Sequence, residues 1–321
     1  MTAAIVDRLL ASCDPTVVFK TRREVLGEPE FDLADLRRSI SDTERARQLL
    51  AHRRPDGTIA TNPYTKWQGP HWTMVLLALI DYPPGDNDLA SMRDQVYEWM
   101  LSPEHMQFPR TVFYDDQPER VRRCASMEGN AIWYSLVLGL EDDRTKLLVD
   151  RLIDLQWPDG GWNCDKRRPA RTSSFMETLI PLRGLFAYGR AHQYQPALET
   201  AVRTAEFLLD RRLLWRKSDG QPLDQFLKIW FPIQFYDPLF ALKVMTEIGQ
   251  VNDPRYSDAL EVLETKRLPD GGFPAEIKNA RTADTRITRG SWADWGPGGK
   301  TRSNELVTVD ALAVLKAAGR I

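Results

Sequence analysis

The chain has 321 residues, with 43 Lys and Arg against 45 Asp and Glu and a formal net charge of −2. That balance leaves no electrostatic footprint for nucleic acid, and no basic tract points to a membrane surface. The three cysteines, Cys13, Cys124 and Cys164, are too few and too odd in number for a disulfide framework, which points to a reducing compartment.

The first residues, Met1 to Arg8, lack a basic region followed by an apolar core, so no signal peptide is expected. No apolar run approaches ~20 residues, so no transmembrane segment is expected either. The expected setting is cytoplasmic. Residues 3–13 and 15–26 read as short amphipathic helices, the second with Pro15 in its first turn. The segment Asp32 to Arg38 is ambiguous. Ser41-Asp42-Thr43-Glu44 resembles a capping box opening a helix to about His52. Trp72 to Ile80 is apolar on every side, as a helix buried all round should be. Asp88 to Met100 is two-faced. Residues 103–122 are irregular, charged and long enough to be a functional excursion. The alternation then continues: Ala131 to Leu138 apolar, Arg144 to Leu155 two-faced, Leu179 to Tyr188 apolar, Pro196 to Leu213 two-faced. Tyr236 to Met245 is apolar, Tyr256 to Lys266 two-faced and Leu306 to Leu315 apolar. Strand signals are nearly absent.

Turn signals punctuate this series. The strongest is Gln156-Trp157-Pro158-Asp159-Gly160-Gly161-Trp162, with weaker copies at Pro55-Asp56-Gly57, Ser218-Asp219-Gly220 and Pro269-Asp270-Gly271-Gly272. Pro presets φ, Asp bonds its own backbone and Gly supplies φ > 0. With one more turn near 104, the spacing is about fifty residues, one helix hairpin per interval. The greasy helices then form an inner ring around a cavity and the two-faced helices an outer ring. The fold expected is all-α: a single α/α toroid over residues 1–321, a double-ring barrel of about five to six hairpins. Residues 1–39 are a helical extension completing the barrel.

The Gln156-Trp157-Pro-Asp-Gly-Gly-Trp162 stretch resembles the QW-type repeat of squalene and oxidosqualene cyclases and of protein prenyltransferase β-subunits. Lys66-Trp67-Gln68-Gly69, Cys124 to Asn130, Gly160 to Asp165 and Thr172 to Phe175 are similar to segments of bacterial prenyltransferase/squalene-oxidase-repeat proteins. The resemblance implies an α/α toroid and assigns no reaction; the expected role is to act on or bind a hydrophobic, isoprenoid-type molecule in a central Trp-lined cavity. The acidic DxDD motif of the cyclases is missing. Cys164-Asp165 has the wrong order and spacing for the zinc-binding Asp-x-Cys of the prenyltransferases, and the Cys-His-Gly motif of lanthionine cyclases is absent.

Two concentric rings would gather the starts of the inner helices on one rim. The candidate binding residues there are Lys66, Trp67, His71 and Trp72, then Cys124 and Asn130, then Ser173, Ser174 and Glu177. Trp230, Gln234 and Tyr236 follow, then Trp292, Arg302 and Asn304. Polar groups among Trp rings suit a small-ligand pocket; helix capping accounts for the same Ser, Asp and Asn residues. The candidate catalytic residues are Asp237, Glu128, Cys164 and Asp165. A carboxyl group half-buried among rings has a raised pKa and can donate a proton; one capping a helix is lowered instead. No metal ligand is assigned and no cofactor expected, with a Cys124/Cys164/His71 zinc site as the alternative. Asp115-Asp116-Gln-Pro-Glu119 resembles a magnesium-diphosphate box, although Pro118 makes it loop-like. Arg167, Arg168 and Arg171, with Arg120, Arg122 and Arg123, suit an anion clamp and a solvated loop equally well. Gly290 to Gly299 reads as a lid. The expected partner is a small hydrophobic molecule with an anionic head group. The alternative is a non-catalytic toroid that binds a ligand or a protein.

Overall fold

The apolar and two-faced segments become helices of two kinds. The computed structural model describes residues 2–103, 105, 120–167, 170–222, 224–232, 236–278 and 293–321. Among these, helix dominates. Strand is confined to β1 (Trp230–Phe231) and β2 (Ile277–Lys278), two residues each and paired in parallel.

The amino-terminal part holds α1 (Thr2–Leu10), α2 (Pro15–Lys20), α3 (Ala34–Ser39) and α4 (Glu44–Leu50). Asp14 caps α2 by accepting the Thr16 N–H at 2.9 Å, with Pro15 in the first turn. The helix expected over 15–26 changes character at Thr21, and Thr21–Leu26 is a π-helix ended by Gly27 at φ 80°. The Thr21 hydroxyl bonds back to the Val17 carbonyl at 2.7 Å, a competition that loosens the helical ladder. Thr43, rather than Ser41, caps α4.

The greasy helices are α5 (Pro70–Leu79), α7 (Ala125–Val137), α9 (Phe175–His192), α11 (Pro238–Glu247) and α13 (Glu305–Ala317). Almost all of α5 is buried. Between them run α6 (Ala90–Leu101), α8 (Asp143–Asp154), α10 (Gln195–Leu209) and α12 (Ser257–Glu264). Each greasy helix packs against the next: α5 on α7, α7 on α9, α9 on α11, α11 on α13. Each of α5, α7, α9 and α11 also packs on the two-faced helix that follows it. The last helix, α13, packs on α2 and the π-helix, and α4 packs on α5. One hydrophobic cluster runs from Ile5 to Leu315. No helix among the described residues is long and apolar enough to cross a membrane.

The turn motifs behave as their chemistry dictates. Gly57, Gly160, Gly220 and Gly271 all have φ between 63° and 95°. Asp56, Asp219 and Asp270 each accept the N–H two residues on. In the central copy Asp159 reaches further, to the N–H and hydroxyl of Ser173 at 2.8 and 2.6 Å. Gln156 bonds the carbonyls of Gly160 and Thr200 and the Thr204 hydroxyl, tying the turn to α10. The turn near 104 and the acidic run Asp115, Asp116, Glu119 lie outside the described residues.

Candidate metal centre

Three chemistry-bearing side chains meet where α7 and α9 begin. Cys124 is the N-cap residue of α7. Cys164 follows the central turn. Glu177 lies in the first turn of α9, behind its cap Ser174. The two Sγ atoms and a carboxylate oxygen of Glu177 all lie within 4.8 Å of one another. No other group of three His, Cys, Asp or Glu side chains of this kind occurs among the described residues.

The backbone fixes this meeting. The Arg123 N–H donates to the Asn163 carbonyl at 2.9 Å, so the residues before each cysteine are zipped together. Asn163 also donates to the Thr172 carbonyl and accepts the Asp165 N–H. The Ser174 N–H donates to the Trp162 carbonyl. Glu177 Oε2 accepts the Ser126 N–H at 2.8 Å, which carries it from its own helix to α7. The indole N–H groups of Trp157 and Trp162 donate to the carbonyls of Val121 and Leu152, so these rings brace the turn from inside.

Burial and mutual contact shift two of the three members upward. The Cys164 thiol is pushed far above its ordinary range, first by its hydrogen bond with Cys124, then by burial and the Glu177 charge. Burial raises Glu177, against the pull of the Ser126 N–H. Two soft thiols, one at a helix cap and one after the central turn, and a carboxylate in the first turn of α9 form a donor set suited to zinc, and a divalent cation would let all three ionise together.

His71 is not part of this group. It is buried among the rings of Tyr64, Trp72 and Tyr134, at 6.3, 5.0 and 5.7 Å between centroids. Burial pulls its pKa down to about 3, and neither ring nitrogen has a hydrogen-bond partner. Glu177 therefore takes the place that the Cys/Cys/His alternative gave to His71. Trp67 packs edge-on against Trp72 at 4.3 Å, and the exposed Lys66 lies over Trp67.

Of the remaining candidates, Ser174, Asp237 and Asn304 are helix caps, accepting the N–H groups of Glu177, Phe240 and Val307. Asp237 is more than a cap. Burial pushes its pKa up to about 7 even though the N–H groups of Phe240 and Trp230 pull it down. Both expectations for a carboxylate here act at once, and burial wins. Asp165 is held down at about 2, chiefly by the Arg167 guanidinium. Glu128 accepts from Arg123 at 2.7 Å and pairs with Arg151 at 2.8 Å. Asn130 is buried and Arg302 exposed. Trp230 lies in β1. Tyr236 is buried, donates to the Leu213 carbonyl and packs on Phe175 at 4.9 Å. Gln234 and Trp292 lie outside the described residues.

The arginines expected to clamp an anion have other work. Arg122 lies 4.5 Å over the Trp157 ring, Arg123 serves Glu128 and Arg167 serves Asp165. Arg168 lies outside the described residues. The described part of the expected lid, 293–299, packs down, with Trp295 buried and Arg45 donating to the Asp294 carbonyl.

No protein-family model matches this chain, and no curated protein matches it.

Proposed function

We propose that the chain is a metal-dependent transferase of the α/α-toroid type, alkylating a substrate thiol with a hydrophobic, isoprenoid-like ester donor: the C–S bond forms as the donor's C–O bond breaks, the ester's anion leaves with the bonding pair, and the thiol proton goes to solvent. The observation that carries this reading is the meeting of Cys124, Cys164 and Glu177 between the central turn and the starts of two adjacent buried helices. When bound, a zinc ion supplies a thiolate nucleophile at neutral pH, a use that three anionic ligands favour over carbonyl polarisation. The chain's own groups do the rest. The Ser126 N–H orients Glu177, and the Asn163 and Asp159 contacts hold the Cys164 segment still. Phe175 and Tyr236 pack ring on ring in the core between the α9 and α11 starts.

The double-ring arrangement belongs to the same proposal. It is supported by the packing of each greasy helix on the next and by the contact of α13 with α2. The QW-type turn supports kinship with prenyltransferase/squalene-oxidase-repeat proteins. Proton-initiated cyclisation is the weaker reading, because a carboxyl group at about 7, such as Asp237, is too weak an acid for an alkene.

The test is metal content. Full-length protein purified without added metal is assayed for zinc, then titrated with Co(II). The expected result is about one ion per chain with thiolate-to-cobalt absorption, lost in Cys124→Ser and Cys164→Ser and weakened in Glu177→Gln. A folded protein that neither retains zinc nor takes up cobalt would overturn the reading.

A further inference from the structure

A second site lies past the carboxyl end of α10, in a cavity that none of the three metal-group residues lines. Its volume is about 410 Å³, and its wall is the turn over residues 210–220. Arg212 and Leu213 in that turn are left-handed, at φ 45° and 63°. Neither is glycine, so the surroundings hold this backbone in place. The Leu213 N–H donates to the Leu208 carbonyl at 3.0 Å, and the Tyr236 hydroxyl donates to the Leu213 carbonyl. The reversal brings Arg211, Arg212, Arg216 and Lys217 onto one wall, beside the half-buried ring of Trp215.

The ion pairs leave part of this charge unmatched. Arg212 pairs with Asp258 and Arg216 with Asp219, each at 2.8 Å, and neither carboxylate lines the cavity. Among the described residues Asp210 is the one carboxylate on the wall, and Arg255 holds it at 3.2 Å. Arg211 and Lys217 have no ion pair among the described residues. Arg211 is only 8 % exposed, with its guanidinium 3.6 Å from the Phe207 ring centroid. A cation at a helix end commonly bonds a last-turn carbonyl, and Arg211 does so with Phe207 at 2.8 Å. That bond uses one of the five N–H groups of a guanidinium. Burial lowers the Arg211 pKa and outweighs the fields of Asp159 and Asp210.

The signs select the class of ligand. Four cations face one carboxylate on the wall, and the helix end adds only about half a negative charge. An ammonium compound is repelled. A monocarboxylate matches one of the two unmatched cations. A phosphate monoester, with roughly two charges spread over its outer oxygens, matches both. Its organic group has the Trp215 ring to lie on, and that ring is fixed by its indole N–H bond to Asp258 at 2.8 Å. We infer that this cavity binds the phosphate group of a small soluble ester between Arg211 and Lys217, at a site independent of the metal centre.

The test is calorimetric titration of the full chain with inorganic phosphate, phenyl phosphate and acetate in about 0.1 M salt, where distant charges are screened. Sedimentation with vesicles containing phosphatidic acid covers a lipid source of the same group. Both soluble phosphates should bind one to one in the millimolar range or tighter, and at least about tenfold more tightly than acetate. Arg211→Gln should abolish this, and Lys217→Glu, at an exposed position, should weaken it about tenfold. Asp210→Asn removes the carboxylate from the wall while Arg255 keeps Glu206 and Asp253. It should strengthen binding about threefold or more, a gain that misfolding cannot imitate. Acetate binding as tightly as phosphate, sedimentation with the vesicles without binding of the soluble phosphates, no binding at all, or an unchanged affinity in Asp210→Asn or Lys217→Glu would each overturn the inference.

Discussion

Gly184 lies so close to Gly129 that a Cβ on Gly184 would stand 2.5 Å from the Gly129 carbonyl oxygen. The reverse holds too: a Cβ on Gly129 would meet the Pro181 backbone at 2.6 Å. These contacts set the separation of α7 and α9, and with it the distance from Cys124 to Glu177. Gly184→Ala must push backbone against backbone, so we expect a loss of about 1–3 kcal/mol in urea unfolding. Metal affinity should fall in the same variant, although no ligand is touched.

Asp159 gives a second handle on the same centre. It accepts both the N–H and the hydroxyl of Ser173 across the central turn. Asp159→Ala should weaken metal binding by about 10–100-fold, the usual effect of removing a group that orients ligands. Competition with a chromophoric chelator measures it.

Asp237 makes stability depend on pH. In the folded chain it titrates at about 7, against an ordinary value of 3.8, because burial outweighs its hydrogen bonds. The folded state therefore keeps a proton that the unfolded state has lost. Its contribution is full below about pH 4 and is lost as pH rises through about 7. Asp237→Asn keeps a competent cap and removes the titration. The variant should gain stability over the parent above about pH 8, by as much as ~4 kcal/mol, and converge with it near pH 4. Urea unfolding at the two pH values decides.

Asp310 is shared by Lys20 at 2.8 Å and Lys243 at 2.6 Å, all three largely buried. Asp310→Ala would leave two ammonium groups without their shared counter-ion, at a cost of about 3–5 kcal/mol. Adding Lys20→Met should recover part of that loss, and a double-mutant cycle in urea measures the coupling.

Hydrophobic period made the helices readable, because a helix buried all round and a helix buried on one face differ in composition. The turns were readable because Asp and Gly do fixed backbone work at positions such as 56–57 and 270–271. The third member of the metal group was harder. Ser174-x-x-Glu177 has the spacing of a capping box, in which the Glu returns to its own cap. Here the Glu177 side chain instead crosses to the Ser126 N–H, and one sequence cannot show where a side chain crosses to. His71 misled for the opposite reason: a histidine among Trp residues suits a ligand and a packed ring equally well. Some charged side chains did leave a trace: Arg183, Lys243 and Asp310 stand mid-helix between apolar neighbours, while the other charges of those helices lie near the ends.

The contact between α1–α2 and α13 governs how the protein is made. Ser12 donates to Glu305 across 293 positions of sequence, and Lys316 reaches the Val25 carbonyl. Helix α2 leaves the ribosome well before its partner α13, about 290 residues later. At about 5–20 residues per second, the wait is roughly 15–60 s. Through that interval α2 and the π-helix lack the α13 surface on which they pack in the finished fold.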